Sequence, residues 1–533
     1  MPPMKFDWLP MFRGFVPRGV RPWVYVVLAA CFQMSGGMYM GAINEVVGSR
    51  QLLREDVLMC LYCHLAGMSV YFPLLFRMKF RHTNKSLLFG AAFVLSGCTI
   101  GAAYAANLPT LWLLCVVSGF CKIQGTFECM SNIQLWITPR RDFRVFFPVL
   151  HIFILGMMQV SDYVAAWVAY TWKWEYMHWL MCGLFMVVCV LLSLLTRRVR
   201  FMPVMPLAGV DWLGGVLWLT TLLLTAYFFC YGRVLDWLHS WALRVVGVGA
   251  VVSLVLAVVR SFLAEHAYVV PSIWRVRRVV LVFGIVAVGE LLLSSERVLE
   301  EVFYGSGMGY GKITVAGNDV WCFAGCVLGC VVSLLWMKVW GLNALRLTTL
   351  GFWVVGGYLV WFYVSVSSEF EFGVLGGVVM ARSFGYAVIS VSLMVILHDL
   401  MTFETFFMAL SVFNMFHMIV GGVVGSALYS YGLHYYVGDF MGRYGEMFDH
   451  VAMSRDVLGF GERVGMVGRG VVIMAVKELY GWGAYGCLLV GFVLLCYKVP
   501  LFRSTYRRMK SWGRVWCEVS GRLRRESFGE NRG

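Results

Sequence analysis

Apolar residues run through this chain in long blocks separated by short polar clusters, and the length of the blocks decides the fold class. A helix needs ~20 apolar residues to cross a bilayer. Blocks of that length fall at roughly 22–44, 55–76, 86–106, 110–137, 143–170, 176–196, 212–231, 241–261, 278–296, 319–337, 346–366, 371–397, 405–430 and 479–500. The pattern predicts an all-α polytopic membrane protein with fourteen membrane helices.

The polar clusters alternate in character. Arg77, Lys79, Arg81 and Lys85 form one, followed by Arg140, Arg141 and Arg144, by Arg197, Arg198 and Arg200, by Arg275, Arg277 and Arg278, and by the tail from Arg503. The intervening loops, 45–54, 107–109, 171–175, 232–240, 297–318, 367–370 and 431–478, carry fewer charges or mixed ones. Short loops rich in Lys and Arg stay in the cytoplasm, so both termini are expected inside and 431–478 outside. That last segment is the one long polar loop, and it is expected to be partly helical. Trp23, Trp112, Trp136, Trp172, Trp174, Trp237, Trp321 and Trp482 stand near predicted helix ends, as an interfacial belt requires.

Prolines 203 and 206 in the basic stretch 197–210, and Pro271 in 260–278, divide the series. Residues 1–200 are expected to form a six-helix bundle and 201–270 a linker with two extra membrane helices. Residues 271–500 would form a second six-helix bundle that includes the outer loop, and 501–533 a basic cytoplasmic tail. Two six-helix halves around a midplane site is a transporter layout.

Composition removes the rival classes. With 60% hydrophobic and 14% charged residues and a mean hydropathy of +0.75, no soluble domain fits. The net charge of +15 would suit nucleic acid, but its charges sit in the loop clusters, so no nucleic-acid partner is expected. The sixteen cysteines lie almost entirely in apolar spans, which argues against a disulfide framework. Cys322, Cys326 and Cys330 form a small-residue helical stripe suited to packing. Residues 1–21 lack the apolar core and cleavage site of a signal peptide. CLYCH (60–64) matches a haem-attachment pattern but falls inside the second span, and GSGMGYGK (305–312) lacks the spacing of a phosphate loop. No nucleophile–base or metal-ligand set appears, so neither enzymatic activity nor a cofactor or metal is expected.

The polar exceptions inside the spans carry the candidate chemistry, because ionisable groups in hydrocarbon need a partner or a cavity. The fourth span holds Lys122, Gln124, Glu128, Ser131, Asn132 and Gln134. At 100° per residue Gln124, Glu128, Ser131 and Asn132 share an arc of ~80°, with Lys122 nearly opposite. We read the stripe as the wall of a substrate and proton path. His151, Gln159 and Asp162 share one arc of the fifth span, and depths counted at ~1.5 Å per residue suggest the pairs Glu128–His151 and Lys122–Asp162. In the second half, Glu290 and Arg382 stand alone near mid-depth, and are expected to face a shared cavity. Asn414 and His417, three apart, read as a packing hydrogen bond. Gly421, Gly422 and Gly425 read as close helix contacts and hinge points.

Two stretches carry a resemblance. DWLGGVLWL (211–219), followed by YGRVLDWLHS (231–240), resembles the extra helix pair of the fourteen-helix drug:proton antiporters, the EmrB/QacA type of the major facilitator superfamily. TWKWEYMHW (171–179) is similar to the turn before that family's sixth helix, and Gln124-Gly125 to its fourth-helix motif. The resemblance spans essentially the whole chain. It departs in the 74–85 loop, LLFRMKFRHTNK, in the missing Gly-Pro of the fifth helix, and in helix one. There Tyr39, five before Asn44, stands where the family has an aspartate.

The resemblance implies two six-helix bundles plus a central pair, and a carrier in a bacterial inner membrane. It implies proton-coupled efflux of amphipathic, drug-like solutes. It also implies an adaptor of the membrane-fusion type and an outer-membrane channel as partners. Glu128, Asp162 and Glu290 are the proton-coupling candidates. Lys122, Gln124, Asn132, His151, Arg382, Tyr39 and Asn44 are the substrate-cavity candidates. A carrier of one defined solute, importing or exporting, and a non-transporting scaffold on the same fold are the alternatives.

Overall fold

A computed structural model describes residues 11–35, 41–139, 142–199, 207, 209–367, 372–447 and 460–497. Its elements are helices. They are α1 (Arg21–Met34), α2 (Arg54–Arg81), α3 (Asn84–Tyr104), α4 (Leu108–Ile137), α5 (Phe143–Thr171), α6 (Tyr176–Leu195), α7 (Trp212–Tyr231) and α8 (Trp241–Leu263). The second half continues with α9 (Arg277–Gly305), α10 (Lys312–Val339), α11 (Ala344–Ser365), α12 (Leu375–Leu400), α13 (Thr405–Arg443) and α14 (Val467–Cys496). Among the described residues, the thirteen from α2 onward are each long and apolar enough to cross a membrane. The remaining predicted span, 22–44, is α1 with the short helix Ile43–Arg50 beyond it, and residues 36–40, with Tyr39, lie outside the described residues.

The two halves repeat one packing plan. In the first, α2 lies along α4 and α3 along both α4 and α6. In the second, α10 lies along α12 and α11 along both α12 and α14, the same contacts eight helices later. A close crossing recurs between the equivalent helices of each half. A Cβ on Gly119 would stand 2.2 Å from the His64 carbonyl oxygen of α2, and one on Gly325 would stand 2.2 Å from the Met380 carbonyl oxygen of α12. Lipid gives helices no hydrophobic reason to associate, so small residues that admit close backbone contact do that work.

The extra pair, α7 and α8, closes the side of the seam between the halves. It packs on α2 and on the π-helical part of α13. Tyr231 donates to the Asp56 carboxylate and Tyr268 to the Val70 carbonyl. The Asp-x-x-Gly of the resemblance has a local cause. Asp211 caps α7 by accepting from Gly214 N at 3.0 Å, and Arg260 of α8 binds the same oxygen at 3.1 Å. In the turn, Trp237 folds back so closely that a Cβ on Gly232 would lie 2.5 Å from its ring. Much of α8 is exposed and apolar, as a lipid-facing helix must be.

Several helices run beyond their apolar blocks. α2 continues through a 3-10 turn at Phe72–Leu74 to Arg81. α9 continues through two π-helical segments, Glu296–Glu300 and Phe303–Gly307, into the stretch expected to be loop. α5 has Pro148 inside its first part and a π segment at Ile152–Gly156. The long polar segment 431–478 is helical on both described sides, within Ser426–Met447 and Phe460–Cys496, which lie against each other.

Candidate functional site

Between the halves lies a cavity of about 920 Å³ whose lining comes from α2, α4 and α5 on one side and α9, α12 and α13 on the other. It is mostly apolar, with phenylalanines and methionines, and contacts join the halves toward each end. At the end carrying the 77–85 loop, the Phe407 ring meets Phe76 at 4.3 Å and Phe127 at 5.7 Å, and His398 meets Phe143 at 4.0 Å. Arg144 pairs there with Asp399 at 3.3 Å, and Lys338 with Asp142. At the opposite end Glu45 pairs with Lys312 at 3.8 Å, and Arg54 with Glu301.

One polar centre belongs to α4. The Glu128 carboxylate is buried and accepts from Asn84 Nδ2 at 2.7 Å and from Gln124 Nε2 at 3.4 Å. Lys79 Nζ stands 3.4 Å from it and also bonds Ser131. Asn132 donates to the Glu128 carbonyl at 2.7 Å. Glu128, Ser131 and Asn132 line the cavity, whereas Gln124 is buried behind the wall. Lys122 also lines it, although the helical wheel set it opposite the polar arc.

The pairings expected from sequence need correction. His151 lines the cavity, but its Nδ1 lies 2.9 Å from the Phe147 carbonyl of its own helix. Glu128 takes Lys79 instead, because α2 runs on to Arg81 and carries Lys79 out of the predicted loop to the carboxylate. Among the described residues no ion pair joins Lys122 to Asp162. Asp162 lies off the cavity wall, near enough to act on the amine electrostatically.

The second centre belongs to the other half. Glu290 of α9 lies 2.9 Å from His417 Nδ1, and Tyr386 Oη lies 3.5 Å from the same nitrogen. This replaces the expected Asn414–His417 bond, since Asn414 donates to the Leu410 carbonyl at 3.0 Å. His417 opens the π-helical segment His417–Gly425 of α13, and π segments in helices gather at functional sites. The segment bears on both halves. A Cβ on Gly421 would stand 2.6 Å from Glu290 Oε2, and Tyr62 of α2 donates to the Gly422 carbonyl at 2.8 Å.

Arg382 is not a cavity residue. It is buried behind the wall, bonded to Glu300 and to Cys322 Sγ at 3.1 Å, with its guanidinium over the Tyr358 ring at 5.7 Å. Tyr358 also donates to Glu300. Hydropathy placed Glu300 in a loop, so its claim on Arg382 had no signal in the sequence. Asn44 is exposed on the short helix after α1, away from the cavity.

No protein-family model matches the sequence, and no curated protein matches it. Solved structures do. The chain is similar to a mutant of the peptide transporter POT in complex with alafosfalin, with a TM-score of 0.56, 12% identity, and coverage of 91% of this chain and 95% of that one. It is similar to a mutant of the nucleoside transporter NupG, with a TM-score of 0.52, 11% identity, and coverage of 90% and 99%. A bacterial homologue of the human lysosomal transporter Spinster, inward-facing and unoccupied, gives a TM-score of 0.52 at 12% identity over 90% and 98% of the two chains. The fold of this multi-pass membrane protein is therefore the major facilitator fold, with two six-helix bundles and an extra helix pair.

Proposed function

We propose that the chain is a secondary transporter that moves small solutes by exposing its central cavity to one side of the membrane and then the other. The observation that carries this reading is a cavity of about 920 Å³ between two repeated halves, with a carboxylate from each half on its wall. Buried carboxylates that face an alternating cavity can gain and lose protons as access changes. Glu128 with Lys79, and Glu290 with His417, are accordingly the coupling groups.

The finer reading is proton-driven export of amphipathic, drug-like solutes from the bacterial cytoplasm, with both termini inside. It is supported by the resemblance of 211–240 to the drug:proton antiporters. It also draws on the phenylalanine and methionine lining, which adapts to varied apolar ligands. Asp162 remains a reserve coupling group on this reading. An adaptor and an outer-membrane channel would join at the end where Ser426–Met447 and Phe460–Cys496 extend. The second reading, a carrier of one defined solute, gains weight from fold neighbours described as peptide and nucleoside transporters.

Purified protein in proteoliposomes separates these readings. Gradient-driven movement of several unrelated amphipathic dyes, stopped by an uncoupler, is expected for the exporter. Movement of a single solute class would favour the second reading. A protein that moves nothing across a wide panel would be a scaffold rather than a carrier.

A further inference from the structure

One charged group on the cavity wall is left over by both polar centres. Lys122 is only 7% exposed, lines the cavity, and among the described residues makes neither a hydrogen bond nor an ion pair. Glu128 is six residues further along α4, roughly 9 Å of helix rise, and is already held by Lys79 and Asn84. Glu290 is held by His417. A buried amine with no partner is costly, and a charge-assisted bond to a bound anion removes that cost.

The neighbourhood of Lys122 is built for a ligand. His64, from the CLYCH stretch, is 6% exposed, lines the cavity, and acts on Lys122 electrostatically. Its Nδ1 lies 2.7 Å from Ser118 Oγ, and Ser118 donates its own proton to the Cys115 carbonyl at 2.7 Å. His64 Nδ1 is therefore the donor to Ser118, which leaves Nε2 as an acceptor, buried and without a partner among the described residues. Gln33 stands on the same wall, its Nε2 on Thr126 Oγ1 at 3.2 Å. Asp162 stands near enough to act on the ammonium electrostatically, and a single ammonium matches a singly charged group.

We infer that Lys122 and His64 form the head-group site of the cavity, taking an organic monoanion on an apolar body. The carboxylate or sulfonate would sit on Lys122, and an adjacent N–H or O–H of the ligand would donate to His64 Nε2. The inference rests on the transport reading of the cavity, and it names the substrate class for that reading.

Three dansyl probes share one apolar body and differ in charge: dansylglycine is an anion, dansylamide neutral, dansylcadaverine a cation. Their fluorescence with purified protein in nanodiscs reads the site. The expected result is saturable dansylglycine binding at least ~10-fold tighter than dansylcadaverine, the order of one charge-assisted bond. Lys122→Gln should weaken dansylglycine by ~10-fold or more and leave dansylamide unchanged, while Lys122→Arg keeps the anion within ~3-fold. Unchanged dansylamide binding shows that the Gln variant is folded.

Unchanged dansylglycine binding by Lys122→Gln, or a wild-type preference for the cation, would overturn the anion site and leave the cavity a solute site. Failure of all three probes to bind saturably would overturn the cavity reading itself, and the inference with it. The anion could also come from a lipid. Adding phosphatidylglycerol to phosphatidylcholine discs should leave dansylglycine affinity unchanged if the occupant is a free solute. Competition lost in Lys122→Gln would identify the same anion site as a lipid head-group site.

Discussion

Glu128→Gln is expected to lower gradient-driven transport by at least ~100-fold while leaving solute binding measurable. Coupling needs a group that takes up and releases a proton as access alternates. The helix-one aspartate of the drug:proton antiporters that the sequence resembles has no counterpart here, since Tyr39 stands in its place. Glu128 is buried on the cavity wall and bound to Lys79, Asn84 and Gln124, so its protonation is tied to the arrangement of α2, α3 and α4. Glutamine keeps an oxygen for Asn84 and fills the same volume, but it cannot titrate. It also leaves the Lys79 ammonium without its counter-charge. The double variant Glu128→Gln/Lys79→Met therefore separates lost titration from an orphaned cation. Proteoliposome uptake under an imposed proton gradient, paired with probe binding, is the measurement. Full pumping by Glu128→Gln would move the coupling role to Glu290 with His417, or to Asp162.

Arg382→Met is expected to destabilise the protein more than any change on the cavity wall. Arg382 and Glu300 are a buried pair, and Tyr358 and Cys322 complete their bonds. Removing one member of such a pair leaves the other charge buried and uncompensated, a cost of about 3–5 kcal/mol. Replacing both members by groups of similar size is far cheaper, so Arg382→Met/Glu300→Gln should recover most of the loss. Thermal unfolding in mild detergent reads both variants. If the single variant unfolds at the wild-type temperature, the pair is not what holds α9 to α12. This outcome bears on stability alone, because Arg382 does not line the cavity.

The two misplaced partners have one physical cause. Hydropathy marks where the hydrocarbon ends, and helices do not stop there. Lys79 and Glu300 lie just past the apolar blocks of the second and ninth spans, so both read as loop residues. The chain stays helical through them, by a 3-10 turn in α2 and by π segments in α9. The span count, the two-half layout and the extra pair were legible because each needs only block length and spacing. Glu128, Ser131 and Asn132 were legible as cavity residues because polar groups in an apolar span need somewhere to face. Lys122 was assigned a partner by depth, and depth along a helix says nothing about which neighbour comes within bonding range. His417 had no signal as the partner of Glu290, since the contact joins spans more than a hundred residues apart.

On the transport cycle proposed above, the two halves separate at each end in turn for a solute to pass. The ion pair Arg54–Glu301 joins the halves at the end away from the 77–85 loop. Arg54→Cys/Glu301→Cys, made in a background lacking Cys496 and the tail's Cys517, places two thiols across that contact. A short bis-maleimide with a reducible spacer can then bridge them. The account predicts that the bridged protein transports no faster than empty vesicles and regains its rate when the spacer is reduced. Undiminished transport with the bridge intact would contradict it.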